Sequence, residues 1–515
     1  MVAFPDAELA ALLAAGPPQE PPPLDLATRE ELVHHHHPDY QPAGKRALAV
    51  GANRGVPVPA RLAHLLEGRP RIPADLDPAT PDRRCDVLVI GGGGAGVTAA
   101  LTAHDAGADC LVATKLRLGD SNTIMAEGGM QAAVADGDDP AHHFLDALRG
   151  GHFANDRALL RALVEAAPAT AAWLGALGVR WDRDDAGHLV TRHGGGTSRP
   201  RLLACADYTG LDIMRALTAE LRGAGVPVIE FHPAVELLTD RAGRVTGAVL
   251  EDLRHGGHTL VAARQVILAT GGAGRLHLGG APTSNHYGAT GDGLVLAYRA
   301  GCGLIHPESF QFHPTGIAYP PALSGALITE GVRSAGAWLR NRQGERFVDE
   351  LLPRDVVAAA VLAECAAGRG VAVPGGGHAV WLDARHVANV AQSFPAVWTK
   401  LSRVGMDLQT TPVLTAPTLH YQNGGVRVDL AGQTDLPGLR ACGEITGGAH
   451  GTNRLMGNAL LEVVATGRRV GHAAAAAARD MDHGETTLHH LAAWPGTGPP
   501  APVLLPDYAA GPGEA

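Results

Sequence analysis

"CDVLVIGGGGAGVTAALTAHDAG", residues 85–107, decides how this chain folds. Cys85 to Ile90 is a short, β-branched apolar run, the pattern of a strand buried on both faces of a parallel sheet. Glycines follow at once, and "VTAALTAHDAG" predicts a helix closed by Gly107. "DCLVAT", residues 109–114, predicts a second strand and completes a βαβ unit. Gly91, Gly93 and Gly96 stand as G-x-G-x-x-G across the turn, with Gly94 and Ala95 in the same cradle. The first glycine makes the tight turn, the second lets backbone approach a pyrophosphate, and the third lets helix and strand pack closely. The helix N-terminus then faces the phosphate charge. Strand, turn, helix and strand in this order raise the motif above a glycine-rich turn. The second strand lacks the Asp or Glu expected for a ribose hydroxyl. Thr114 and Lys115 stand there instead, so spacing alone leaves NAD and FAD open. A hydroxyl and an ammonium suit an adenosine with the lysine near the phosphates.

The rest of the chain bounds the answer. It has 515 residues, 45% apolar, enough for two domains with substantial cores. The formal charge of −10 argues against a nucleic-acid binder. With an aromatic share of 4%, cores must rest on Ala, Val and Leu and on close backbone packing through glycine. Cys85, Cys110, Cys205, Cys302, Cys365 and Cys442 are never within three residues of one another. That excludes a local zinc or iron–sulfur motif and a disulfide framework, and points to a reducing compartment. No apolar run reaches membrane-spanning length, and the start, "MVAFPDAELAALLAAGPP", has no basic leader region; it reads as a short amphipathic helix. A cytoplasmic protein, peripheral to a membrane through partner subunits if at all, is the expectation.

Residues 1–84 are proline-rich and polar at first, and read as a partly irregular extension wrapped on the surface. "HHHHPDY", residues 34–40, reads as a solvated histidine cluster, because no acid or cysteine set stands at ligand spacing; no metal is expected. Residues 155–178 predict helices interrupted at Pro168, and "ADYTGLDIMRALTAELRGAG" another. "VPVIEF", "RVTGAVLED" and "RQVILATGGAG" predict strands, the last ending in a second glycine turn. After about residue 307 comes a region with its own strands and helices. "GLRACGEITGG", 438–448, resumes the strand–glycine texture, and a long helix follows from "NALLEVV". The proline-rich tail after 481 reads as peripheral.

Nine further stretches occur in order with the loop: "SNTIMAEGGMQAAV" (121–134), "ATGGAG" (269–274), "TGDG" (290–293), "FHPTG" (312–316), "ITEG" (328–331), "PRDVV" (353–357), "LHYQNGG" (419–425), "GEITGG" (443–448) and "HGTNRLMGNALLE" (450–462). Together they resemble the flavoprotein subunit of succinate dehydrogenase and fumarate reductase, a family shared with soluble fumarate reductases and L-aspartate oxidase. The resemblance covers roughly residues 85–475. It implies an α/β fold: a Rossmann-like FAD-binding domain in two pieces, 85–307 and 419–480, with an α+β capping domain, 308–418, inserted between them. Residues 1–84 would be an N-terminal extension and 481–515 a C-terminal tail. The resemblance implies flavin contacts at Ser121, Thr123, Gly128, Gly129, Asp207, Asp292, Asn458 and Leu460, with Glu444 on the ribityl side. Ala234, Val235, Ala269, Thr270, Gly271 and Arg454 complete the expected set. Membrane-bound members carry a flavin-linking histidine where this chain has Asn122, so non-covalent FAD is expected. That tilts the expectation toward fumarate reduction or amine oxidation. The helical domain against which an iron–sulfur subunit packs in respiratory complexes is expected to be absent or heavily truncated.

The resemblance also implies a chemistry. His420 and Arg454 would grip one carboxylate of a C4 dicarboxylate, and His313, Thr329 and Glu330 the other; arginine suits carboxylates because its planar fork bonds both oxygens. Arg354 matches the family's proton donor: flavin N5 delivers hydride to one alkene carbon and the arginine protonates the other. Arginine is a poor acid in water, so a relay is needed, and Glu330 and Asp355 are the candidates. Taken singly, Arg354–Asp355 reads as a helix-start ion pair, and His313 and His420 as packed, satisfied histidines. Two enzyme functions follow: a fumarate reductase- or succinate dehydrogenase-type flavoprotein fed by an iron–sulfur subunit or other electron donor, and L-aspartate oxidase making iminoaspartate. A flavin-bearing electron-transfer subunit with a drifted pocket is disfavoured by the intact set of His313, Arg354, His420 and Arg454.

Overall fold

The structure, a computed structural model, describes residues 5–73 and 75–496. The strand Arg83–Ile90 splits its side chains between two cores: Val87 and Val89 enter one, Cys85, Leu88 and Ile90 the other. Cys110–Thr114 repeats the division, Cys110 and Val112 against Leu111 and Ala113. Both faces are covered, so these strands read as unbroken apolar runs.

The sheet runs Val228–Glu230, Cys110–Thr114, Arg83–Ile90, His258–Leu268, Val245–Glu251, Ala234–Thr239. The first four are parallel, and the last two join antiparallel. Leu439–Ala441 returns from far along the chain to lie parallel to Val266–Leu268. Of these strands, Ala234–Thr239 has no counterpart among the sequence expectations.

On one side of the sheet the helix Asn458–Arg479 packs along Gly94–Asp105. Gly467 and Gly471, one turn apart, make the contact. A Cβ at either would meet Ala95 O at 2.7 Å or Ala99 O at 2.4 Å. Backbone-to-backbone approach of this kind lets a chain poor in aromatic residues close its core.

A second, antiparallel sheet runs Phe310–Ile317, Val413–Gln422, His378–Asp383, Trp338–Arg340, with Val371–Ala372 beside His378–Asp383. Its two longest strands bulge. Gln311 pairs with Tyr421 and Phe312 with Leu419, which leaves His420 as the extra residue. The helix Arg354–Ala366 packs on this sheet.

The N-terminal segment departs from the expected surface wrap. It forms helices Asp6–Ala14, Leu26–His36 and Ala60–Leu66 and a short hairpin, and it buries Leu12, Val33, Leu48, Val58, Leu62 and Leu66. Its apolar residues lie in short groups between proline-rich and polar stretches, which hid them from a composition reading. The histidine run divides likewise: His37 is buried edge-on against Phe312, while His34, His35 and His36 end a helix. Pro168 opens a helix, Ala167–Ala176, directly after Arg157–Glu165. The tail pairs Thr487 with Thr239 and packs Trp494 on Tyr298; the rest of that expectation, residues 497–515, lies outside the described residues. Among the described residues no helix is long and apolar enough to cross a membrane.

Candidate active site

The glycine turn opens a narrow crevice. Gly91 has φ +124°, and a Cβ there would sit 2.2 Å from Ala269 O. A Cβ on Gly96 would meet Gly91 O at 1.9 Å. The two glycines thus let strand, turn and helix close on one another, leaving the helix N-terminus open to the crevice. Gly91, Gly93, Gly94, Ala95, Thr114 and Lys115 line it from one side, with Ser121, Asn122 and Thr123 beyond. Ala234, Ala269, Thr270, Gly271, Asp292 and Glu444 line the other. Lys115 Nζ meets Asp292 Oδ2 at 2.6 Å, and Thr270 Oγ1 is buried with no protein partner. An orphaned hydroxyl, a helix start that lines the crevice and a turn that excludes Cβ atoms fit a pyrophosphate-bearing dinucleotide. Asn122 is held by three bonds: its amide donates to Asn285 Oδ1 at 2.7 Å and Glu444 Oε2 at 3.2 Å, and its oxygen accepts from His286 N at 2.6 Å. Burial pushes the Glu444 carboxyl up, against the Gln422 N–H that it accepts.

Asn122, Thr123, Glu444 and Val463 carry the crevice into a second cavity of about 440 Å³. His313, Thr329, Glu330, Arg354, His420 and Arg454 all line it, as do Gly128, Gly129 and Leu460. Arg354 Nη1 and Arg454 Nη2 donate to the same atom, Gln311 Oε1, at 3.0 and 2.8 Å. Gln311 itself is fixed by donating to Asn453 Oδ1 and Arg454 O at 2.8 and 2.7 Å. Sequence reasoning missed it; its signal is the strand period, which puts Gln311 on the face of His313. The Arg454 guanidinium also lies 4.4 Å over the Tyr421 ring, whose hydroxyl donates to Glu462 Oε2 at 2.6 Å.

Charge here is tightly arranged. Arg354 Nε donates to Glu330 Oε2 at 2.8 Å, and Arg333 Nη2 reaches the same oxygen at 3.3 Å. Gly195 N donates to Oε1 at 2.5 Å. Burial alone would raise the Glu330 carboxyl, but Arg354 and Arg333 overcome it and hold it at about 2. Burial, then Arg354, lowers Arg454 to about 10. Burial and the neighbouring guanidiniums push His313 and His420 well below the usual histidine range, so both are neutral near pH 7. Thr315 N donates to His313 Nδ1 at 3.3 Å, which leaves the proton of the neutral ring on Nε2. That Nε2, like Arg454 Nε, is buried without a protein acceptor. An orphaned imidazole N–H beside two guanidiniums, one of them with its own Nε unpartnered, makes a cavity for anions.

Several expected residues stand elsewhere. Asp207 accepts from Ala396 N and Val397 N at 3.0 Å; it caps the helix Pro395–Ser402 and lines neither cavity. Val235 points to the far side of the sheet, against Leu238 and Val249, because strand neighbours alternate in face. Asn458 is turned to His143, Oδ1 to Nε2 at 2.8 Å. Gly96 acts through packing, not as lining. Asp355 follows Arg354 on the helix, so its side chain leaves on another face: it meets His152 Nε2 at 2.7 Å and Asn453 Nδ2 at 2.9 Å, not the Arg354 side chain.

Such a fold and site define a dinucleotide-binding protein with an anion cavity at the end of its crevice. Comparison with known proteins agrees. The FAD binding domain family matches residues 86–460. The fumarate reductase (CoM/CoB) chain of Methanothermobacter marburgensis is 39% identical over 76% of this chain and 72% of its own. L-aspartate oxidase of Streptomyces coelicolor is 38% identical over 82% and 72%. Among solved structures, quinol fumarate reductase of E. coli superposes with a TM-score of 0.74 at 31% identity, over 80% of this chain and 72% of that one. The chain belongs to the family of FAD-dependent oxidoreductases that holds the fumarate reductase flavoprotein subunits and the L-aspartate oxidases.

Proposed function

We propose that this protein is a fumarate reductase-type flavoprotein that interconverts fumarate and succinate on non-covalently held FAD. The single observation that carries the reading is the pair of buried arginines, Arg354 and Arg454, converging on Gln311 Oε1 beside the unpartnered His313 Nε2. A dianion with a carboxylate at each end matches that charge.

When bound, FAD supplies the hydride that fumarate takes up on reduction. The glycine turn and Thr270 would hold its pyrophosphate, and Asn122, tied into three hydrogen bonds, offers no nucleophile for a covalent link. Arg454 and His420 hold one carboxylate; His313 Nε2–H and Thr329 hold the other. Arg354 gives a proton to the carbon that does not receive hydride, and the Glu330 carboxylate, 2.8 Å from its Nε, relays a proton taken up from solvent back to it. Arg333, which donates to both Glu350 O and Glu330 Oε2, fixes that carboxylate in place. Asp355 is no part of the relay, since it turns to His152. Residues 85–307 and 419–480 form the flavin-binding part in this reading and 308–418 the cap, with electrons supplied by an iron–sulfur subunit or another donor.

A second reading, L-aspartate oxidase, is favoured by one feature. Glu127 lines the same cavity, and its Oε2 is buried without a partner, an acceptor for a substrate ammonium. Turnover of fumarate, succinate and L-aspartate side by side tests both. Fumarate reduction by reduced viologen, without peroxide from L-aspartate, is expected. Peroxide from L-aspartate with fumarate untouched transfers the assignment to the oxidase.

A further inference from the structure

The two sheets are joined by a pair of strands. Phe310, Phe312 and Leu419 sit in the core of the large sheet, whereas Ile317 and Val413, at the other ends of the same strands, sit in the core of the small one. Any opening of one part against the other must bend this pair. The cavity lies between the parts, and on its far side they touch again: Asp207 accepts from Ala396 N and Val397 N, and Lys400 Nζ meets Glu127 Oε1 at 2.7 Å.

The N-terminal segment binds both parts in turn. Leu12 packs with Trp381 and Leu414, Glu8 meets Arg342 at 3.1 Å, and Gly16 O accepts from Arg340 Nη2 at 3.2 Å. Val33 joins the small-sheet core as its helix crosses Arg354–Ala366. Leu48, Val58, Leu62 and Leu66 instead enter the large-sheet core, Asn53 bonds Leu304 N and O at 2.8 and 2.9 Å, and Val50 O accepts from the Tyr298 hydroxyl. The crossing falls on the joining strands. The His37 ring stands edge-on to Phe312 at 5.5 Å, and Asp39 Oδ2 accepts from Phe310 N at 2.7 Å.

We propose that residues 6–67 are a hinge clamp: one continuous tether, fixed to both parts and crossing at the strands that must bend, that restrains the small-sheet part from lifting off the cavity. The functional relevance of the clamp rests on the reading of that cavity as the reaction site; its mechanics do not. Bending the hinge must tear Asp39 from Phe310 or strip apolar side chains from one of two cores, so closure is favoured without ligand. Release of the clamp speeds opening and ligand exchange.

Pro42, Ala43 and Gly44 are exposed between the two anchored halves. A protease recognition sequence placed there allows the folded, flavin-loaded full chain to be cut with no anchoring residue changed. The readout is hydrogen exchange at the amides of Ala396 and Val397, which are covered by Asp207 only while the parts are closed. The clamp predicts about tenfold faster exchange at these amides after cutting, with the strand Arg83–Ile90 unchanged and the protein still yellow. Unchanged exchange overturns the clamp, and so does equal acceleration throughout the chain, which is general loosening. No substrate is present in this measurement. A failure to turn over fumarate therefore bears on the proposed function, and unchanged exchange bears on the clamp.

Discussion

Gln311 bears no charge, and that suits it to lie between two arginines. Its oxygen accepts from Arg354 and Arg454 at once, aligning both guanidiniums while leaving their charge for a substrate. A carboxylate in its place would neutralise the cavity from within. Gln311→Glu is therefore expected to raise KM for the dicarboxylate by about tenfold, about 1.4 kcal/mol of binding, with flavin content unchanged; an unchanged KM would show that the cavity charge does not hold substrate. Arg354 is asked to move a proton as well as attract an anion. Lysine keeps the charge but loses the fork that spans Glu330 and Gln311. Arg354→Lys should keep its flavin and lose at least about 100-fold in kcat, the usual worth of a positioned acid. If kcat holds and only KM rises, Arg354 is a binding residue.

At the scale of elements, sequence and structure part company in an instructive way. The strand–turn–helix at 85–107 was legible because both its hydrophobic pattern and its glycines follow from one backbone path. Gly96→Ala puts a methyl 1.9 Å from Gly91 O, and should cost about 1–3 kcal/mol by overpacking and deplete flavin; a fully loaded variant of unchanged Tm would contradict the close turn. Asp207, Asp355 and Asn458 were not legible, because a motif fixes position along the chain and not the face on which a side chain leaves. Asp207 spends its carboxylate on two helix amides. Asp207→Ala should then lower stability by about 1 kcal/mol through the lost cap while flavin content stays level. Lost flavin at unchanged stability would return Asp207 to the cofactor.

For the whole molecule, the family resemblance implied the return of residues 439–441 to the first part of the chain, where they pair with Val266–Leu268. The sequence concealed the N-terminal segment, whose buried side chains are scattered in short groups between proline-rich and polar stretches. The buried histidines set an acid limit. Burial lowers His37 and His143 to about 4, and His313 and His420 lie well below 6.5. Folding then disfavours the protonated form. Stability is full above pH 6.5 and falls, for His37 and His143, as pH drops from 6.5 toward 4, at up to about 1.4 kcal/mol per pH unit for each group. Glu330, held at about 2, adds its own loss between pH 4.5 and 2. Denaturant melts of His143→Gln should show a shallower decline between pH 6.5 and 5 than the parent chain; parallel declines would mean that His143 is protonated in the fold.

The central claim is that the cavity lined by Arg354 and Arg454 presents a four-carbon diacid to the flavin. Its most direct test is a single turnover. The protein is reduced with dithionite, freed of excess reductant and mixed anaerobically with one equivalent of fumarate. The account predicts return of the yellow spectrum with one succinate formed per flavin. A flavin that stays reduced, while the oxidised protein is bleached by L-aspartate, would contradict it.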